Sequence, residues 1–96
     1  MRMFYRSSDI VVTSEHFVIL RPYLIRFRLD EVHDAYIVRH GRGPRFRAPQ
    51  EIRARYGTAD VRLFCTTDAT TFGHVRRALI RALEHRDELR AYPLPA

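Results

Sequence analysis

Val61-Arg62-Leu63-Phe64-Cys65-Thr66-Thr67-Asp68-Ala69-Thr70-Thr71-Phe72-Gly73-His74-Val75 is the stretch in which this chain changes its period. Up to Thr66 the residues are β-branched, aromatic or alternating, and Val61, Leu63 and Cys65 share one face of an extended segment. After Asp68 the apolar residues recur at Phe72, Val75, Leu79 and Leu83, the spacing of one side of a helix. Asp68 stands at the boundary. Its carboxylate can accept from the open amides of a first helical turn and faces the positive end of the dipole. The stretch therefore predicts a final strand followed by a helix that runs to about Arg86 or somewhat beyond. An isolated helix of that length is marginal in water, so docking of its apolar side must hold it.

Working back toward the N-terminus, short apolar runs alternate with polar turns, the pattern of an antiparallel meander. Six more strands are expected: Arg2–Tyr5, Ile10–Thr13, Phe17–Leu20, Tyr23–Arg28, Ala35–Arg39 and residues 52–56. Arg21-Pro22 breaks the run between the third and fourth. On the fourth strand Ile25, Phe27 and Leu29 fall on one face, with Leu24, Arg26 and Arg28 on the other. Leu29-Asp30-Glu31-Val32 reads as a tight polar corner, and Gly57-Thr58-Ala59 as a hairpin turn. Tyr92-Pro93-Leu94-Pro95 ends the helix and begins a tail, taken as residues 91–96.

The expected class is α+β, mainly β: one domain over residues 1–90, with about seven strands and one C-terminal helix. Ile10-Val11-Val12-Thr13-Ser14-Glu15-His16-Phe17-Val18-Ile19, then Phe27-Arg28-Leu29-Asp30-Glu31-Val32, resembles a hairpin and corner common in bacterial proteins of the pleckstrin-homology-like (PH-like) fold. Phe64-Cys65-Thr66-Thr67-Asp68 with Phe72 and the segment from Val75 to Leu83 resembles their last strand and helix. The likeness covers about residues 1–88 and lies with a group of small bacterial proteins that has no assigned activity. It implies a bent antiparallel sheet, a partly closed barrel capped by the helix, and it carries no functional residues. Many members of that group have membrane-spanning helices where this chain has a basic loop.

Charge is distributed unevenly. Residues 1–38 hold five arginines and five acids, and residues 56–96 hold six arginines and five acids. The segment 39–55 holds six arginines, Arg39, Arg42, Arg45, Arg47, Arg53 and Arg55, against the single acid Glu51, and so supplies +5 of the total +6. Gly41, Gly43, Pro44 and Pro49 exclude a helix interior there and mark a loop. The residues at 52–56 then resume strand alternation. All seventeen basic residues are arginine, which suits phosphate recognition and is also what a GC-rich coding bias produces.

Catalysis is not indicated. The five histidines form no metal-ligand pair at helical spacing, and His33 with Glu31 and Asp34 makes only a weak corner cluster. Ser14-Glu15-His16 places neighbouring side chains on opposite faces of a strand. Cys65 is the one cysteine, so no intrachain disulfide forms, and its strand context reads as a small buried hydrophobe. No cofactor, metal or small-molecule substrate is indicated. No secretory apolar core follows Met1, and no run of eighteen apolar residues is present. The expected location is cytoplasmic.

Two functions stay open. The first is a non-catalytic protein-interaction or scaffold module, joining another protein or a second copy of itself through an open sheet edge. Phe64 is a candidate contact for it if it is not beneath the helix. The second is polyanion binding, to nucleic acid or an anionic membrane surface, by Arg39, Arg42, Arg45, Phe46, Arg47, Arg53 and Arg55. There the guanidiniums would track phosphates and Phe46 would stack or insert.

Overall fold

The computed structural model describes residues 1–41 and 48–91. Seven strands precede one helix, in the expected order. β1 (Met3–Arg6), β2 (Ile10–Thr13), β3 (His16–Ile19) and β4 (Ile25–Arg28) form an antiparallel sheet in sequence order. A single 3-10 turn, Leu29–Glu31, leads to β5 (Val32–Arg39), β6 (Gln50–Tyr56) and β7 (Ala59–Thr66), which form a second antiparallel sheet. The helix α1 spans Ala69–Ala91.

The expected α+β class with a C-terminal helix is what the chain adopts; among the described residues its strands form two antiparallel sheets of four and three strands, with no closed barrel. The reason lies at the corner. Leu29 is buried to 1% exposure and the backbone there turns helically, so the β4 ladder ends and β5 starts a new sheet instead of extending the old one.

Packing divides the chain into two compact units, one of Met1–Asp30 together with the chain from Arg77 onward, the other of Glu31–Arg76. In the first, Ile10, Val12, Phe17, Leu29, Leu79 and Ala82 are buried. Phe17 lies opposite Val12 on one side and Phe27 on the other, and the two phenylalanine rings tilt against each other at 6.5 Å. Local polar bonds fix the turns. The Ser7 hydroxyl accepts from the Asp9 and Ile10 amides, and the buried Thr13 hydroxyl accepts from the Glu15 and His16 amides, a habit of Ser and Thr at turns.

In the second unit Val32, Ile52, Ala54, Leu63, Phe72 and Val75 are buried. The register between β6 and β7 shifts at Ile52/Arg53, where Ile52 faces Phe64 while Arg53 faces Arg62. Leu63 is the extra residue, and a bulge of this kind breaks simple alternation. Val61 and Leu63 therefore share the inward face with Phe64, and Cys65 is turned outward and exposed. This corrects the expectation of a buried Cys65. It also answers the question of Phe64, whose ring stacks on Phe72 of α1 at 6.5 Å and 14°.

Asp68 caps α1 as expected: one carboxylate oxygen accepts from the Thr70 and Thr71 amides at 3.0 and 3.2 Å, the other from the Thr71 hydroxyl. The helix runs beyond Arg86 to Ala91. Arg86 and Arg90 on its last turns donate to the carbonyls of Leu29 and Asp30, tying the helix end to the corner of its own unit. Of the tail expected over 91–96, Ala91 instead ends the helix, and residues 92–96 lie outside the described residues.

Candidate interaction surfaces

The arginine segment meets the second sheet at both of its ends. Arg39 closes β5, exposed, while Arg53 and Arg55 sit inside β6. Arg42, Arg45, Phe46 and Arg47 lie outside the described residues. Alternation along β6 points Ile52 and Ala54 inward and Glu51, Arg53 and Arg55 to the opposite face. On that face cross-strand neighbours supply carboxylates that a reading of the segment alone could not count.

Arg53 lies at the centre of a chain of bonds. Its Nε donates to Asp60 Oδ1 at 2.9 Å and its Nη1 to Glu51 Oε1 at 3.1 Å. The Tyr36 hydroxyl donates to Asp60 Oδ2 at 2.7 Å. His40 Nε2 meets Glu51 Oε2, so Glu51, with only 8% of its side chain exposed, is held from two sides. Arg55 pairs with Asp34 at 3.3 Å, a residue whose left-handed backbone (φ 53°) sits in the bulge between His33 and Tyr36.

The titration behaviour follows from these bonds. The His40 bond, with help from Arg53, holds the Glu51 carboxyl below its ordinary value. Tyr36 and then Arg53 do the same for Asp60. Asp60 in turn pushes the Tyr36 hydroxyl up, and Asp60 with Glu51 raises Arg53. Two of the three described arginines of the segment thus spend their charge on carboxylates. Their partners were legible in principle: a turn at Gly57-Thr58 sets Arg55 opposite Asp60, and Arg53 is then the diagonal neighbour that a long side chain reaches.

The β3–β4 hairpin is the reverse case. From His16 to Arg28 it carries Arg21, Arg26 and Arg28 and no acid. Arg28 meets Asp30 at 2.8 Å. No described carboxylate forms an ion pair with Arg21 or Arg26. Beside them Leu20, Tyr23, Leu24 and Ile25 are all exposed, Tyr23 to 77% and Leu24 to 65%. The strand expected from Tyr23 begins only at Ile25, and the clean alternation of β4 does not bury it, because β4 is the last strand of its sheet. Sequence reasoning took Tyr23 and Leu24 as strand residues and so missed them as a surface.

The corner below this hairpin holds a cavity of 330 Å³ lined by Ser14, Glu15, His16, Arg28, Asp30 and Arg86, among others. Several of its polar groups are already engaged: the Ser14 hydroxyl accepts from the Arg2 amide, and Arg86 also meets Asp87. Among the described residues no cluster of three or more His, Cys, Asp or Glu side chains is placed to hold a metal ion, and no helix is long and apolar enough to cross a membrane. No protein-family model, curated protein or solved structure matches the chain.

Proposed function

We propose that this chain is a non-catalytic interaction module of PH-like character that docks through the β3–β4 hairpin. The observation that carries the reading is the run Tyr23-Leu24-Ile25, exposed beside the open edge of β4. Scattered surface leucines need no explanation, but contiguous exposed apolar side chains rimmed by charge mark contact sites. An open strand edge adds unpaired backbone groups to the same surface.

The hairpin docks on something other than itself. Pairing β4 with a second copy would bring Arg26 and Arg28 of both chains together with no carboxylate from the hairpin between them, and like charges opposed on a sheet destabilise it. A photo-reactive residue in place of Leu24 in the native cell tests the docking surface. Adducts at position 24 and none at exposed Thr58 are expected; equal labelling at the two positions, or none at either, sinks the reading.

The second reading, polyanion binding by the arginine segment, is favoured by Arg39, exposed at the end of β5 and in no described ion pair. With Arg53 and Arg55 matched by acids, four arginines remain for phosphate. The slope of log K against log salt on duplex DNA is then about −4, where six engaged arginines would give about −5. Filter binding with Arg39→Gln, Arg42→Gln, Arg45→Gln and Arg47→Gln combined is its test, and retention of affinity in that variant removes it.

A further inference from the structure

We infer that the surface met by the β3–β4 hairpin is an anionic lipid bilayer, an inference that rests on the docking surface just proposed. Three features of the hairpin converge on that partner. First, the apolar groups sit at a turn: Leu20 precedes Arg21-Pro22, and Tyr23, Leu24 and Ile25 follow it. Exposed apolar groups at a turn enter a fluid interface without a matching pocket, whereas a folded protein partner must supply one.

Second, the tip combines an aromatic hydroxyl-bearing ring with aliphatic side chains. Tyrosine settles at the boundary between headgroups and acyl chains, with its ring on the apolar side and its hydroxyl toward water. Leu24 and Ile25, next in the chain, are the groups that reach past that boundary. Third, Arg21 and Arg26 flank the tip, are exposed and meet no carboxylate among the described residues. Their long side chains keep the guanidiniums at the headgroups while the stems lie along apolar surface. Of the hairpin's three arginines Arg28 is matched by Asp30, and Asp9, just before β2, lies beside Leu20; Arg21 and Arg26 are the cations left, and a negatively charged lipid surface complements them where a zwitterionic one does not.

The arrangement differs from the arginine segment in kind. There charge stands without described apolar support and is partly matched by Glu51, Asp60 and Asp34. In the hairpin apolar exposure and uncompensated charge coincide. Such a contact is reversible, because a few apolar side chains with a few charges fall far short of a spanning helix.

Co-sedimentation with phosphatidylglycerol–phosphatidylcholine vesicles, and with pure phosphatidylcholine vesicles, tests the inference on the full chain. The wild type is expected to pellet with the anionic vesicles only. Arg21→Gln combined with Arg26→Gln should weaken binding about thirty-fold, and Leu24→Asp by more than about tenfold. The combined Arg42→Gln, Arg45→Gln and Arg47→Gln variant should bind as the wild type does. Circular dichroism of each variant establishes that it is folded. Leu24→Trp supplies a direct reading, since the chain has no tryptophan of its own: its emission should shift to the blue on anionic vesicles and be quenched by brominated acyl chains.

Failure of the wild type to pellet, binding unchanged by Leu24→Asp, or loss of binding only in the 42/45/47 variant each overturns the bilayer as partner. In any of these cases, a protein adduct from the photo-reactive residue at position 24 leaves the hairpin standing as a docking surface for protein. Absence of any adduct there removes the docking surface as well.

Discussion

Arginine is used in opposite ways on the β3–β4 hairpin and on the outer face of β5, β6 and β7. On the sheet face, Arg53 and Arg55 are met by Glu51, Asp60 and Asp34, and the tyrosine of β5 closes the set. On the hairpin, Arg21 and Arg26 stand beside exposed Tyr23 and Leu24 with no acid in the same segment. Net charge along a sequence window is thus a poor guide to available charge. Cross-strand partners match two of the arginines in the window that looks most basic, while Arg21 and Arg26, in a stretch (residues 1–38) whose charges sum to zero, are exposed and meet no described carboxylate.

The first way to break the comparison is to attack the cores that hold both surfaces. Phe17→Ala in the first unit and Phe72→Ala in the second each remove a ring at 0% and 4% exposure and should cost about 3 to 5 kcal/mol in denaturant unfolding, because the site cannot collapse to fill the cavity. Phe72 also loses its stack on Phe64. A loss below about 1 kcal/mol for either substitution would mean that the ring is not packed as described.

A smaller, more specific effect is expected from Asp60→Asn. It leaves Arg53 with Glu51 alone and removes the carboxylate that raises Tyr36. Stability should fall by less than in Phe72→Ala, and the ultraviolet titration of Tyr36, isolated by comparison with Tyr36→Phe, should move down toward the ordinary tyrosine value. An unmoved titration would show that Tyr36 and Asp60 are not bonded in solution.

These two surfaces also explain what was legible beforehand. The change of period at Asp68, the cap and the stripe Phe72, Val75 and Leu79 were readable because local rules fix them, and the strand order followed from turns such as Ser7-Ser8-Asp9. The break into two sheets was not readable. It depends on a 3-10 turn at Leu29–Glu31 whose residues equally suit a hairpin corner. Cys65 was misplaced for a related reason: one bulged residue, Leu63, shifts the phase of everything after it, and no residue type announces a bulge. The hairpin escaped notice because the alternation from Tyr23 to Arg28 reads as a half-buried strand until the sheet order shows that β4 is an edge and starts only at Ile25.

Acid should separate the surfaces further, with a sign that the bonds decide. Glu51, Asp60 and Asp68 all titrate below their ordinary values in the folded chain, so each contributes stability that is present above the unfolded carboxylate value of about 4 and is lost as pH falls through the folded value. Tyr36 is raised, so its contribution is present below the unfolded value of about 10 and is lost as pH rises through its folded value. Amide protection in β5 to β7 and the first turn of α1, taken relative to the intrinsic exchange rate at each pH, should therefore fall below about pH 4. The hairpin has no carboxylate to lose, and protection along β3 should change less. Equal loss of protection in both sheets would erase the distinction.

The smallest effect on folding is expected where the proposed contact is strongest. Leu24 is 65% exposed and outside any strand, so Leu24→Asp removes little buried area and places a carboxylate between Arg21 and Arg26, which relieves their repulsion. Unfolding free energy should stay within about 0.5 kcal/mol of the wild type. A side chain that packs against the fold would instead lose apolar contacts and bury a charge, and the same substitution would then cost several kcal/mol. An unchanged denaturation midpoint therefore places Leu24 on the surface by measurement, and it makes any loss of vesicle binding in the same variant a property of the contact and not of the fold.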